Sequence, residues 1–160
     1  MMKVAGIISE YNPFHNGHEY QIKKLREMLS EDTAIVAVMS GNYTQRGEIA
    51  VADKLIRAKA ALECGVNLVL ELPFPFSMSS AEFFAKSGVK ILGEIGVVDY
   101  LAFGSESGDI TEISDIASVM MSRQVSFSQI NEGILYPVYA SVPTFSPKSE
   151  AICRMISSKL

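Results

Sequence analysis

Four short apolar runs divide this chain, at residues 4–8, 34–39, 68–70 and 97–103. The first three are continuous and the fourth is broken only by Asp99, a pattern that suits strands covered on both faces, as in a parallel sheet between helix layers. Between the runs the apolar positions change to helical spacing. After the first, Ile22, Leu25 and Leu29 recur among Lys23, Lys24, Arg26 and Glu27, predicting an amphipathic crossover helix from Gly17 onward. After the second, a polar loop over residues 40–48 leads to a predicted helix with an apolar stripe of Val51, Leu55, Ala58 and Leu62, ended by Gly65. After the third, Pro73 and Pro75 punctuate a loop, and Ser79-x-x-Glu82 has the form of a capping box opening a helix through Phe83, Phe84 and Val89. The aromatic cluster Phe74, Phe76, Phe83 and Phe84 reads as core packing rather than a base-stacking platform.

Strands alternating with helices imply right-handed crossovers, so the expected fold is α/β, a Rossmann-like doubly wound parallel sheet. Residues 1–125 are expected to form this domain, with a loop over 104–108 and a further helix over 110–121. Residues 126–160 are expected to be its helical or irregular continuation, with a short helix over 126–136, irregular chain over 137–147, and helical spacing again at Ile152, Met155 and Ile156.

A chain of 160 residues, 48% of them hydrophobic, is long enough for one ordinary core. Its 14 basic and 18 acidic residues form no long single-sign run, so no overall field draws in nucleic acid or an anionic membrane, and any RNA contact must be local. Cys64 and Cys153 lie far apart without metal-ligand or redox spacing, which fits a reduced, intracellular setting. The first apolar run is stopped at once by Ser9 and Glu10, too soon for a signal segment or a membrane span. A cytoplasmic location, with no membrane partner, is therefore expected.

In an open parallel sheet a ligand sits at the carboxyl ends of the strands. Both histidines of the chain, His15 and His18, fall in the first such loop, around Gly17 at the start of the first helix. The free N–H groups and positive dipole end of a helix start favour phosphate, and glycine lets a ligand approach the backbone. Two imidazoles beside it can donate to phosphate oxygens and to charge developing during phosphoryl-type transfer. The plainer alternative is that the two histidines cap the helix or stand exposed. No cysteine or third histidine completes a zinc ligand set, so no metal site is expected. The remaining strand-end loops supply Ser40, Asn42, Gln45 and Arg46, then Glu71, then Gly104, Ser105 and Glu106. Arg46, Lys54 and Arg57 are candidate phosphate contacts, against solvation at the surface. Glu71 and Glu106 are candidates to orient a substrate or metal, against helix capping. Ser40 and Ser105 lack a histidine–carboxylate arrangement, which speaks against a hydrolase triad.

Several longer blocks occur in order: Glu10-Tyr11-Asn12-Pro13-Phe14-His15-Asn16-Gly17-His18, then Met39-Ser40-Gly41-Asn42-Tyr43-Thr44-Gln45-Arg46-Gly47-Glu48, Asp53-Lys54, Glu71-Leu72-Pro73, Ser80-Ala81-Glu82 and Phe103-Gly104-Ser105-Glu106. Together they closely resemble the bacterial tRNA(Met) cytidine acetate ligase family, whose His-x-Gly-His motif is shared with the wider nucleotidylyltransferase superfamily. The resemblance implies a nucleotidylyltransferase-type fold and an enzyme that adenylates acetate with ATP, accompanied by Mg2+. Acetyl then passes to the exocyclic amine of the wobble cytidine in elongator tRNA-Met, without acetyl-CoA. It implies an ATP site lined by Ile7, Ile8, Ser9, Glu10, Tyr11, Asn12, Pro13, Phe14, His15, Asn16, Gly17, His18, Glu19 and Tyr20, together with Gly104, with His15 and His18 on the phosphates. Family members are longer, with an Asn-Asn-Ile-Leu-Gly strand, a Ser/Arg segment over the phosphates and a tRNA-gripping region. None is found here, so the chain is expected to lack the C-terminal portion, to bind tRNA weakly and to expose a sheet edge that invites a homodimer. The competing readings are a small-molecule adenylyltransferase of the same superfamily and a nucleotide-binding module without catalysis.

Overall fold

The structure, a computed structural model, describes residues 2–104 and 114–115. Four parallel strands form one sheet: β1 (Val4–Ser9), β2 (Ala34–Ser40), β3 (Leu68–Leu72) and β4 (Tyr100–Ala102), in the order β3-β2-β1-β4. Three helices connect them, α1 (Asn16–Leu29), α2 (Lys54–Glu63) and α3 (Ala81–Glu94), with a short 3-10 turn, Phe76–Met78, before α3. The register runs Val4 to Ala34 through Ser9 to Met39 on one side of β1, and Ala5 to Tyr100 through Ile7 to Ala102 on the other. The expected doubly wound α/β fold is thus the one observed. Chain order reverses at β1, which leads to β2 on one side and has β4 on the other, and such a switch point opens a crevice at the strands' carboxyl ends.

The apolar runs bury both sheet faces. Ala5, Ile7, Ile35, Ala37 and Met39 pack with Ile22, Leu25 and Leu29 of α1 and Ala61 of α2. Val4, Val36, Val38 and Leu72 pack with Leu92 of α3 on the other face. The α3 helix lies very close to β1: a Cβ on Gly6 would meet Leu92 Cδ1 at 2.7 Å, and one on Gly88 would meet Ile8 Cδ1 at 2.8 Å. Glycine at these two positions is what permits the approach.

Several expectations need correction. Of the stripe expected on α2, Ala58 packs against the core, but Val51 lies before the helix and Val51, Leu55 and Leu62 are exposed, while Arg57 and Ala61 are the buried positions. Inward residues on this helix are short or charged because it sits close above the strand ends. The N-cap of α3 is Ser80, whose hydroxyl accepts from Phe83 N–H, and not Ser79, whose hydroxyl donates to the Phe76 carbonyl. Of the four phenylalanines expected in the core, Phe84 packs there; Phe74, Phe76 and Phe83 are exposed. Glu71 stands within β3 rather than in the loop after it, and β4 is shorter than the apolar run over 97–103. Of the helix expected over 110–121, the helical Ser114 and Asp115 are described. Ser105, Glu106, Cys153 and every expectation for residues 126–160 lie outside the described residues.

Candidate active site

The crevice at the strand ends is built outward from β1. Glu10 follows the strand, and Tyr11 turns the chain with φ at 47°, in the left-handed region. Its ring is buried and packs edge-on to His18 at 4.9 Å and against Phe14 at 5.0 Å. The Tyr11 hydroxyl is buried without a partner among the described residues, and burial pushes its pKa up to about 12. The chain then reaches His15, which is the N-cap of α1.

The two histidines close a capping box around the helix start. Gly17 N–H donates to His15 Nδ1 at 3.0 Å, and His15 N–H donates to His18 Nδ1 at 3.2 Å. The rings stack with centroids 3.8 Å apart. An imidazole that accepts at Nδ1 carries its proton on Nε2, so each ring keeps an Nε2–H to donate elsewhere. Burial first, and the neighbouring His15 second, push the His18 pKa down to about 4, which keeps this ring neutral near pH 7. Capping and anion binding are therefore not competing roles; each ring caps with one nitrogen and offers the other. Gly17 is required by the same geometry, since a Cβ there would lie 2.9 Å from His15 Cε1. The Asn16 N–H has no partner among the described residues and adds a donor at the helix's positive end.

The second loop folds over the end of β1 as a small hairpin, with a Tyr43–Ile49 bridge and Gly47 at φ 82°. It is tied to the first loop at two points. Glu10 Oε1 accepts a short hydrogen bond from Gln45 N–H, and Asn12 Oδ1 accepts from Val51 N–H at 2.8 Å. Gln45 Nε2 donates to the Ser79 carbonyl at 2.7 Å, joining the third loop as well. Asn42 Oδ1 accepts from Lys54 N–H at 3.0 Å. Lys54 Nζ grips both oxygens of Glu71, at 2.9 and 2.7 Å, beside Gly41, where a Cβ would push the Glu71 carboxylate aside. Ser40 is fully buried with its hydroxyl unpartnered among the described residues. Arg46 is exposed, and Gly104 lies just beyond β4.

Arg57 is the residue whose place the sequence pattern conceals. It is buried, at 2% exposure, and its guanidinium donates to the carbonyls of Ala52, Glu10, Ser40 and Gly41. These bonds turn the guanidinium toward the backbone, so Arg57 frames the ends of β1 and β2. Its position four residues before Ala61, on the inward side of α2, is the one sequence signal that could have shown this. Among the described residues, no group of histidine, cysteine and carboxylate side chains could hold a metal ion, and no helix is long and apolar enough to cross a membrane.

Known proteins share this arrangement. A family model described as HIGH nucleotidyl transferase matches residues 2–149. The tRNA(Met) cytidine acetate ligase of Acetivibrio thermocellus is 42% identical over 164 residues, covering 98% of this chain and 39% of that protein. Its namesake in Clostridium novyi is 46% identical over 145 residues, covering 88% of this chain and 36% of that protein. The chain thus spans less than half the length of these relatives. The crystal structure of Thermotoga maritima TmcAL bound with alpha-thio ATP superposes with a TM-score of 0.71 at 48% identity, covering 76% of this chain and 29% of that one. With its strand order, its histidine-capped first helix and these matches, the chain belongs to the HIGH nucleotidyl transferase family.

Proposed function

We propose that this chain carries the nucleotide-activating site of a tRNA(Met) cytidine acetate ligase. The observation that carries the proposal is the double-histidine cap, which presents two Nε2–H donors and, among the described residues, a free helix N–H at the switch-point end of the sheet. Such fixed donors suit phosphate oxygens, on which charge builds as a phosphoryl bond breaks. The relatives named for this activity, and the neighbour crystallised with an ATP analogue, support the same reading.

In the first step an acetate oxygen attacks the α-phosphorus of ATP. The bond to the bridging oxygen breaks, and pyrophosphate leaves. In the second, the exocyclic amine of the wobble cytidine attacks the acetyl carbon, AMP leaves with the electron pair of the broken C–O bond, and the amine proton passes to solvent. His15 and His18 hold the phosphates, with the segment from Ile7 to Tyr20 and Gly104 around the nucleotide. Mg2+ would neutralise phosphate charge alongside them. Arg46 is free to meet substrate, whereas Lys54 and Glu71 are paired to each other and shape the wall. The setting is the cytoplasm, where elongator tRNA-Met is found.

Acetate-dependent ATP–pyrophosphate exchange tests the first step. Exchange that requires acetate and falls by a factor of about 10²–10³ in His18→Ala, the usual cost of removing one oxyanion-type donor, is the expected result. Exchange indifferent to acetate, or unchanged in both His15→Ala and His18→Ala, overturns the proposal.

A further inference from the structure

The proposed hold on phosphate uses His15 and His18 and gives no task to Tyr11, the ring beside them. That ring is 1% exposed, so it does not itself reach a ligand and can act on the site only through a neighbour. Two features of the residue are unfavourable on their own. Its φ of 47° lies in the left-handed region, which a bulky residue rarely occupies and which asparagine or glycine takes more readily. Its hydroxyl is buried without a partner among the described residues, where a phenylalanine would fill the same space with no polar group left bare. Local backbone chemistry therefore does not account for an aromatic side chain here, and the contacts of its ring do.

Those contacts run in two directions. Toward the sheet and its helices, Tyr11 belongs to the core with Ile22, Leu25, Met39 and Ala61. Toward the site, it meets His18 edge-on, with centroids 4.9 Å apart and planes at 79°, and Phe14 at 5.0 Å. Phe14 lies 5.3 Å from His18, and His15 stacks on it at 3.8 Å. Three rings thus wall the His18 imidazole, and Tyr11 is the one that is fully buried; Phe14 is half-buried and His15 exposed.

Such walls matter because the hydrogen bond to His18 Nδ1 is long, at 3.2 Å, and holds the ring loosely about its own torsions. A half-turn of the imidazole would set Cδ2 at the cap and carry Nε2 away from its present direction. We propose that Tyr11 is a positioning residue, whose core-anchored ring keeps the His18 imidazole in the one orientation that caps α1 with Nδ1 and presents Nε2–H. This rests on the nucleotide-activating reading for what that Nε2–H meets. The titratable groups in ring contact with His18 are His15 and Tyr11. The Tyr11 hydroxyl, its pKa pushed up to about 12 by burial, stays neutral and adds no charge.

The test follows His18 by long-range proton–nitrogen NMR of the chain without ligand. Wild type and Tyr11→Phe are expected to show a single Nε2–H tautomer that titrates well below 6.5. In Tyr11→Leu both tautomers are expected, with the titration moved up by about one unit or more as water reaches the ring. Tyr11→Met, whose flexible chain refills the space, takes its place if Tyr11→Leu does not fold. ATP–pyrophosphate exchange gives the second readout: Tyr11→Phe within about twofold of wild type, and Tyr11→Leu about tenfold lower or more. Tyr11→Leu combined with His18→Ala is expected to be no lower than His18→Ala alone, since a residue acting through His18 then has nothing to act on. A His18 signal unchanged in Tyr11→Leu, or a double variant that falls by the product of the two single losses, overturns the proposal. Wild-type exchange with an unmoved His18 signal sinks the role of Tyr11 alone, and a moved signal without wild-type exchange sinks the acetate reading alone.

Discussion

Two strand-to-helix turns in this molecule solve the same problem with different chemistry. The turn from β1 to α1 and the turn from β3 to α3 each carry a cis X-Pro bond, at Asn12–Pro13 and Phe74–Pro75, and each ends in a side-chain N-cap. In the later turn the cap is a serine hydroxyl, and the phenylalanines around it stand in solvent. In the first, the caps are two imidazoles, seated on a buried tyrosine. A capping hydroxyl keeps its remaining O–H within about an ångström of the capped end, whereas an imidazole has a second nitrogen on the far side of its ring. The difference teaches why histidine, an ordinary capper at best, stands at the start of this helix: it stabilises the helix end and presents a donor in one residue.

Substitutions that act on one turn and spare the other are the way to break that contrast. The largest effect on stability is expected from Arg57→Met, which removes the donors held by three carbonyls at the ends of β1 and β2. Hydrogen bonds to charged groups contribute about 1.5–3 kcal/mol each and buried carbonyls are left bare, so a loss of at least ~3 kcal/mol in urea unfolding is expected, with ATP affinity falling in parallel. An unchanged midpoint would show that Arg57 does not frame the first turn. Gly17→Ala comes next. Its methyl drives the His15 ring away, and the lost cap should cost about 1–2 kcal/mol together with most of the ATP affinity. Retained affinity would mean that His15 acts from some other orientation. The smallest effect belongs to Ser80→Ala, about 1 kcal/mol of stability with ATP–pyrophosphate exchange intact. Loss of exchange there would erase the distinction between the turns.

Acidity sharpens the same comparison. The pKa of His18 is lowered in the fold, from the ordinary 6.5 to about 4, so the unfolded chain binds its proton first. Stability is then full above pH 6.5 and is lost as pH falls toward 4. Thermal unfolding between those limits should show Tm dropping with acid, and His18→Gln should flatten the slope. A slope unaltered by that change would place the acid-sensitive group elsewhere.

How much of this was written in the chain varies with the kind of force involved. The strands and α1 were legible because their burial is apolar and periodic, and the first turn was legible because two rare side chains flank a glycine. The inner face of α2 was not. Its buried positions are Arg57 and Ala61, while Leu55 and Leu62 face outward, so a reading by hydrophobicity takes the helix by its wrong side. Arg57 is held by backbone carbonyls contributed by segments far apart in sequence, and no local pattern records that. The exposed Phe74, Phe76 and Phe83 misled for the same reason: composition tells what a side chain prefers, and only packing tells whether there is room. Glu10 and Gln45 were named as single loop residues, but the hydrogen bond that joins them exists only where the loops meet.

The reach of Arg57 also bears on when the site comes into being. Its bond to the Glu10 carbonyl spans 47 residues of sequence, so the end of β1 is finished only after β2 has been laid down and α2 has docked above both strands. A nascent chain that has emerged as far as the second strand holds the whole histidine motif, yet its first turn has nothing to fasten it. The proposed grip on a nucleotide would therefore arrive late, as a property of the assembled half-sheet rather than of the motif that marks it.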